Sequence, residues 1–206
     1  MLNWIDTHCH LDAQEFSADA PAVRARAAAN GVAHCVIPAV HAGAFNVVRE
    51  LAHAQGDSYA LGIHPLYVAH AQESDLTALD AHLTRYQDDP RLVAVGEIGL
   101  DFFVPDFNQP EQEWFFSEQL KIARDFDLAV SLHVRRSQDH ILKHLRRIKV
   151  RGGFAHAFNG SAQQAAEFVK LGFCLGFGGT ATFPQAQRVR TLLLDPALPD
   201  ERVTAE

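Results

Sequence analysis

Residues 6–12 read Asp6-Thr7-His8-Cys9-His10-Leu11-Asp12, directly after the apolar lead-in Leu2-Asn3-Trp4-Ile5. On an extended strand, positions i and i+2 point to the same side, so His8 and His10 present their rings to a common point where a first strand should end. That point can hold a metal ion. Cys9 alternates to the opposite side and is assigned to packing rather than to nucleophilic chemistry.

Outward from this stretch, apolar, β-branched runs alternate with helical-period segments along the whole chain, which is the pattern of repeated βα units. Strands are predicted over residues 3–7, 32–38, 59–63, 92–98, 129–133, 152–156 and 172–175, and helices over 21–30, 44–55, 75–87, 111–126, 138–147, 162–171 and 184–194. Asn30-Gly31 and Gly56 close the first two helices, and Ser161 caps the sixth. No linker or low-complexity stretch divides residues 1–206, so a single domain built on one sheet is expected. Such a sheet is either open and doubly wound or closed into a (β/α)8 barrel. A nucleotide-binding sheet would show a Gly-rich turn after its first strand, where this chain carries histidines. Polar chemistry at the C-terminal ends of many strands marks the barrel.

Each informative polar residue falls at or just after a strand end. His64 lies in Gly62-Ile63-His64-Pro65, and Glu97 in Gly96-Glu97-Ile98-Gly99-Leu100-Asp101. His133 and Arg135 lie in Leu132-His133-Val134-Arg135-Arg136, and His156 in Phe154-Ala155-His156-Ala157-Phe158-Asn159-Gly160. A lone histidine on an apolar strand is usually a hydrogen-bonded core residue. Positions on successive units that converge on one barrel mouth are not explained that way, and together they read as a metal site. Imidazole and carboxylate donors suit Zn, Mn, Fe or Mg, and there are more of them than one tetrahedral ion uses, so two divalent ions are expected. Glu97 is the natural bridge, because a carboxylate has two oxygens.

Composition bounds the function. With 206 residues and 48% hydrophobic content, and no charge-free run near the ~20 residues of a membrane span, a soluble, cytoplasmic protein with no membrane partner is expected. No signal peptide is read at the N-terminus. Cys9, Cys35 and Cys174 are odd in number and scattered, which argues for reduced thiols at strand positions rather than a disulfide framework. A net charge of −7 disfavours a broad electrostatic footprint on nucleic acid, so a phosphate substrate would need a metal or Arg135 and Arg136. The basic run 143–151 is read as the solvated face and end of a helix, and His53, His82, His140 and His144 as surface residues of helices. Phe102, Phe103, Trp114, Phe115 and Phe116 are read as packing under a loop and helix, with a base-stacking platform as the second reading. Gly176-Phe177-Gly178-Gly179-Thr180 reads either as a phosphate-cradling loop or as tight packing at the barrel top.

The set DTHCHLD, GIHP, GEIGLDF, LHVR and HAFNG, in this order over residues 6–160, resembles the TatD family of metal-dependent hydrolases. The resemblance implies a TIM-type (β/α)8 barrel of the amidohydrolase-like superfamily and a divalent-metal deoxyribonuclease acting on DNA or small phosphodiesters. It implies that His8, His10 and Glu97 hold one metal, and that Glu97, His133 and His156 hold the second. His64 and Arg135 would lie near the phosphate, and Asp101 would orient a histidine.

The family completes its site with an aspartate on the eighth strand, in a Glu-Thr-Asp-x-Pro motif after Pro-x-x-Arg. Here Pro199-Asp200-Glu201-Arg202-Val203-Thr204-Ala205-Glu206 places Glu206 at the motif glutamate, and the aspartate falls outside the sequence. The expectations are a barrel incomplete at strand eight, exposed edges on strands one and seven that promote self-association, and impaired hydrolysis. Two alternatives stand beside the phosphodiesterase: a catalytically inactive metal-binding or interaction protein, and a hydrolase of amide or lactone bonds on the same scaffold.

Overall fold

The alternation of apolar runs and amphipathic segments resolves, in a computed structural model that describes residues 4–206, into parallel strands closed in chain order into a barrel, β1 to β8. The strands are β1 (Trp4–Asp6), β2 (Val32–Pro38), β3 (Ser58–Leu61), β4 (Leu92–Asp101), β5 (Ala129–Arg135), β6 (Gly153–His156), β7 (Phe173–Phe177) and β8 (Val203–Ala205). The helices are α1 (Ala20–Ala29), α2 (Phe45–Gln55), α3 (Glu73–Tyr86), α4 (Gln109–Asp125), α5 (Gln138–Arg147), α6 (Ala162–Lys170) and α7 (Gln187–Leu193). Residue 3, the predicted start of the first strand, lies outside the described residues. β2 and α5 coincide with their predicted bounds, whereas β4, β5 and β7 run on past theirs. Polar residues that end the apolar pattern, Asp101 and Arg135, still pair in the ladder.

Burial follows the expected periods. Ile37, Leu61, Ile98, Leu132, Ala155 and Leu175, one from each of six strands, are fully buried. In α2 the inward stripe is Phe45, Val48 and Ala52, and Gly56 closes the helix in the left-handed conformation at φ 79°. Ser161 and Gln164 form a reciprocal capping box at the start of α6. The basic run emerges exposed at Lys143, Arg146, Arg147, Lys149 and Arg151, as read. His144 does not: it is buried, with Nδ1 2.9 Å from Ser117 Oγ, because its side of α5 faces α4. His82 and His140 are partly buried as well, and His53 is exposed.

The expectation of open edges at strands one and seven is corrected. β8 pairs with β7 at Leu175↔Val203, Gly176↔Thr204 and Phe177↔Ala205, and with β1 at Asp6↔Ala205. Thr7 N–H and Thr7 Oγ1 both donate to Ala205 O, at 3.1 and 3.2 Å. The ring is closed, and the edge on which self-association was to rest is covered.

Two features fix the lower and middle parts of the barrel. Arg24 of α1 forks onto the buried Asp57 carboxylate at 2.7 and 2.9 Å and also donates to Val32 O and Ala33 O, while Cys35 N–H donates to Asp57 Oδ1 at 2.9 Å. One ion pair thus ties α1, β2 and the start of β3. In β4, a side chain on Gly96 would place its Cβ 2.4 Å from Ser131 Cβ of β5, so only glycine admits this close approach beside Glu97.

Candidate metal centre

The register of the strands assembles the site. His133 on β5 pairs with His156 on β6, and Gly99 on β4 pairs with His133. Glu97 sits where the β4–β5 register is irregular, and its N–H donates to Ala39 O beyond β2 at 2.9 Å. His64 N–H donates to Val40 O at 2.9 Å, and Gln119 of α4 clasps both backbone groups of Ile63. The loops carrying the acid and the histidine are therefore tied to neighbouring strand ends.

At the centre lies Glu97, 1% exposed. Its Oε2 is 3.2 Å from His8 Nε2 and 3.1 Å from His10 Nε2, and its Oε1 is 2.9 Å from His133 Nδ1 and 3.4 Å from His64 Nε2. Each carboxylate oxygen thus faces two imidazole nitrogens. His156 stacks on His8 with ring centroids 3.8 Å apart, and the candidate ligand groups that emerge are His8, Glu97, His156 and His64, Glu97, His133. The ligand-type residues read from the sequence are brought together, with His8 and His10 beside Glu97 Oε2 as grouped there and the second group arranged differently. His156 stands with His8 rather than with His133, and His64 is 3.0 Å from His133 Nδ1.

Three of the ring nitrogens that turn away from Glu97 have a polar partner within 3.3 Å. His8 Nδ1 is 3.3 Å from Ser131 Oγ, His133 Nε2 is 2.9 Å from Asp101 Oδ2, and His156 Nδ1 is 3.2 Å from Glu206 Oε2. His10 Nδ1 lies 3.9 Å from Asp12 Oδ1. Leu66 N–H donates to His64 Nδ1 at 3.1 Å, so the neutral His64 ring carries its proton on Nε2. Such partners set which nitrogen is free for a ligand and in which direction it points. Ser131 and Glu206 were missed as members of the site. Ser131 had a signal, as the polar residue two positions before His133 on an otherwise apolar strand; Glu206 was read only as part of a motif. Gly176 is explained by the same contact, since a Cβ there would overlap the Glu206 carboxylate.

Electrostatics fits a cation. Burial alone would raise the Glu97 pKa, but the surrounding histidines outweigh it and hold the carboxylate well below its usual range. Among the described residues no Lys or Arg pairs with it. Burial lowers the pKa of His8 and His64, so both are neutral near pH 7. At His133 burial also opposes the charge, yet the Asp101 and Glu97 hydrogen bonds prevail and raise its pKa to about 9. A buried anion ringed by imidazoles with anchored far nitrogens is the donor set of a divalent-cation site.

The signs give a prediction. Without metal, His133 adds stability that is fully present below its ordinary pKa of 6.5 and lost as pH rises through about 9. His8 and His64 subtract stability as pH falls below 6.5. A cation binding His133 Nδ1 must displace a proton there, so metal affinity rises about tenfold per pH unit between pH 7 and 9. Calorimetry in two buffers of different ionisation heat should count at least one proton released at pH 7, His10 adding to the count because the Glu97 contact outweighs burial and raises its pKa; none released would remove His133 Nδ1 from the ligand set.

Elsewhere, the aromatic segment divides. Phe115 and Phe116 are buried and Phe102 packs against the core, whereas Phe103 and Trp114 are exposed at 45% and 41%. All three cysteines are free thiols. Among the described residues no helix is long and apolar enough to cross a membrane.

A family model described as TatD related DNase matches residues 5–206. The chain is 42% identical over 97% of its length to "Uncharacterized metal-dependent hydrolase YjjV" of Escherichia coli (strain K12), covering 81% of that protein. The crystal structure of that TatD homologue superposes with a TM-score of 0.91 at 41% identity, over 97% of this chain and 76% of the other. The chain is also 32% identical, over 98% of its length and 76% of the relative's, to "3'-5' ssDNA/RNA exonuclease TatD" of Klebsiella pneumoniae (strain 342).

Proposed function

The chain belongs to the TatD-related DNase family of metal-dependent hydrolases, and from that premise we propose that it hydrolyses phosphodiester bonds in DNA or related small substrates, using two divalent ions. The observation that supports this reading is the division of the Glu97 carboxylate, with His8 and His10 at one oxygen and His64 and His133 at the other. His8, His10 and His156 would hold one ion beside Glu97, and Glu97 with His133 the second. Bound there, divalent ions supply positive charge for the phosphate and lower the pKa of water.

The chain's own residues do the rest. Asp101 accepts from His133 Nε2 and from Phe103 N–H, which fixes the imidazole with Nδ1 toward Glu97. His64 carries its proton on Nε2, the atom inside the centre, where it can donate to a phosphate oxygen. That tautomer supports the phosphate role for His64 over a ligand role. Arg135 is half exposed at the rim, its Nη1 3.9 Å from Asp101 Oδ2, and is placed to neutralise a non-bridging oxygen. The amide or lactone reading is weaker, because a glutamate rather than a lysine provides the bridge.

The test is hydrolysis of a short single-stranded DNA after chelation and re-addition of Mg²⁺ or Mn²⁺. Cleavage restored by metal and absent with chelator is expected. Metal binding without cleavage of this substrate would remove the phosphodiester assignment while leaving the metal centre.

A further inference from the structure

The mouth of the barrel is electrostatically lopsided. On one side of Glu97 a cavity of about 650 Å³ opens past His10 and His64 between Tyr67, His41, Asp12 and Glu15. On the other side a cavity of about 800 Å³ opens past His133 and His156, lined by Phe103, Arg135, Arg136 and Arg188. In a chain of net charge −7, this second cavity gathers three arginines beside the metal centre.

These arginines are held in place. The Arg135 guanidinium lies 3.7 Å from the Phe103 ring centroid and that of Arg136 4.6 Å, so one exposed aromatic positions two cations. Arg136 adopts the left-handed backbone at φ 55°, and so does Ala157, at φ 44°, in the lining of the same cavity. Strained positions that line a cavity point to function there. Arg188 of α7 donates from Nε to Gly160 O at 3.2 Å and from Nη2 to Asn159 O at 2.7 Å, which aims the guanidinium along the β6–α6 loop. Among the described residues neither Arg136 nor Arg188 is in an ion pair, so their charge is available to a ligand.

We propose that the Phe103–Arg136–Arg188 cavity is a binding groove for the strand of a single-stranded polynucleotide, holding phosphates next to the scissile one. The acidic wall across the centre repels phosphate and leaves that side for the strand's end. Arg136 and Arg188 are thus positioning residues that set substrate length and polarity. The inference rests on the phosphodiesterase reading and extends it to residues away from the reacting phosphate. Planar guanidinia beside an aromatic ring suit a flexible strand whose backbone can follow the groove and whose bases can stack.

The experiment is fluorescence anisotropy with a labelled thymidine 12-mer of single-stranded DNA, in chelator and over a range of salt, on the full chain and on Arg136→Gln and Arg188→Gln. Each variant is expected to bind roughly three- to tenfold more weakly and to lower the slope of log affinity against log salt by about 0.7. An Arg188→Lys variant, which keeps the charge, should recover most of the slope. Unchanged affinity and slope in both glutamine variants would overturn the groove. Hydrolysis separates the two readings. With metal, the ratio of KM on the 12-mer to KM on bis(4-nitrophenyl) phosphate should rise roughly three- to tenfold in the variants, in line with the binding loss. Equal rises on both substrates would place these arginines at the scissile phosphate and overturn the groove. Arginine-dependent binding of a 12-mer that is never cleaved would keep the groove and defeat the phosphodiesterase reading.

Discussion

Glu97→Ala is expected to empty the centre of both ions at once. Its two oxygens are approached by His8 and His10 on one side and His64 and His133 on the other, and among the described residues Glu97 alone belongs to both candidate ligand groups. Removing an outer hydrogen-bond partner of a ligand costs roughly 10–100-fold in metal affinity, and Asp101→Asn, which reaches the centre through His133 Nε2, should fall in that range. The loss of Glu97 should exceed it, with metal content after gel filtration near zero by elemental analysis and the metal-induced rise in Tm abolished. Metal content unchanged in Glu97→Ala would sink the bridge. Glu97→Gln keeps the shape but gives up the charge that the buried histidines stabilise, and it should behave more like alanine than like wild type.

Asp57→Ala should produce the largest loss of stability. The Asp57 side chain is fully buried, accepts the forked Arg24 guanidinium and also satisfies Cys35 N–H. Breaking a buried pair by removing one partner costs about 3–5 kcal/mol, because a charge is left without compensation in the interior. For a domain of this size that corresponds to a fall in Tm of roughly 10 °C. Arg24→Met combined with Asp57→Asn, which keeps an acceptor for Cys35 N–H, should cost less than the sum of the single changes. A loss below about 1 kcal/mol in Asp57→Ala would show that water replaces the pair and that α1 is held without it.

The barrel was legible because its two periods are clean. Val32–Pro38 and Gln138–Arg147 appear with the bounds that their patterns predict, since turn residues and charge mark both ends. Strand ends at the mouth were under-read for a physical reason: Asp101 and Arg135 break the apolar pattern while their backbones remain paired. β8 had no apolar run of its own and was placed only through a motif. The ligand-type residues were legible because five histidines and a glutamate at strand ends have no common core explanation. Their grouping was not, since whether His156 stacks on His8 or joins His133 depends on ring orientation, which sequence does not encode. The arginine groove was half legible: Arg135 and Arg136 are adjacent, but Arg188 reaches them from a helix far along the chain.

The seam between β1 and β8 bears on how the ring is assembled. Every other strand pair joins neighbouring βα units, whereas this one brings Thr7 to Ala205, separated by 198 positions. Loop entropy opposes that encounter more than any other in the barrel, and among the described residues one paired register and two hydrogen bonds from Thr7 reward it. Closure is therefore expected to be the last step gained in folding and the first given up on unfolding. His8 and His10 lie immediately past that seam, so the ring must be shut before the first half of the centre has a fixed shape.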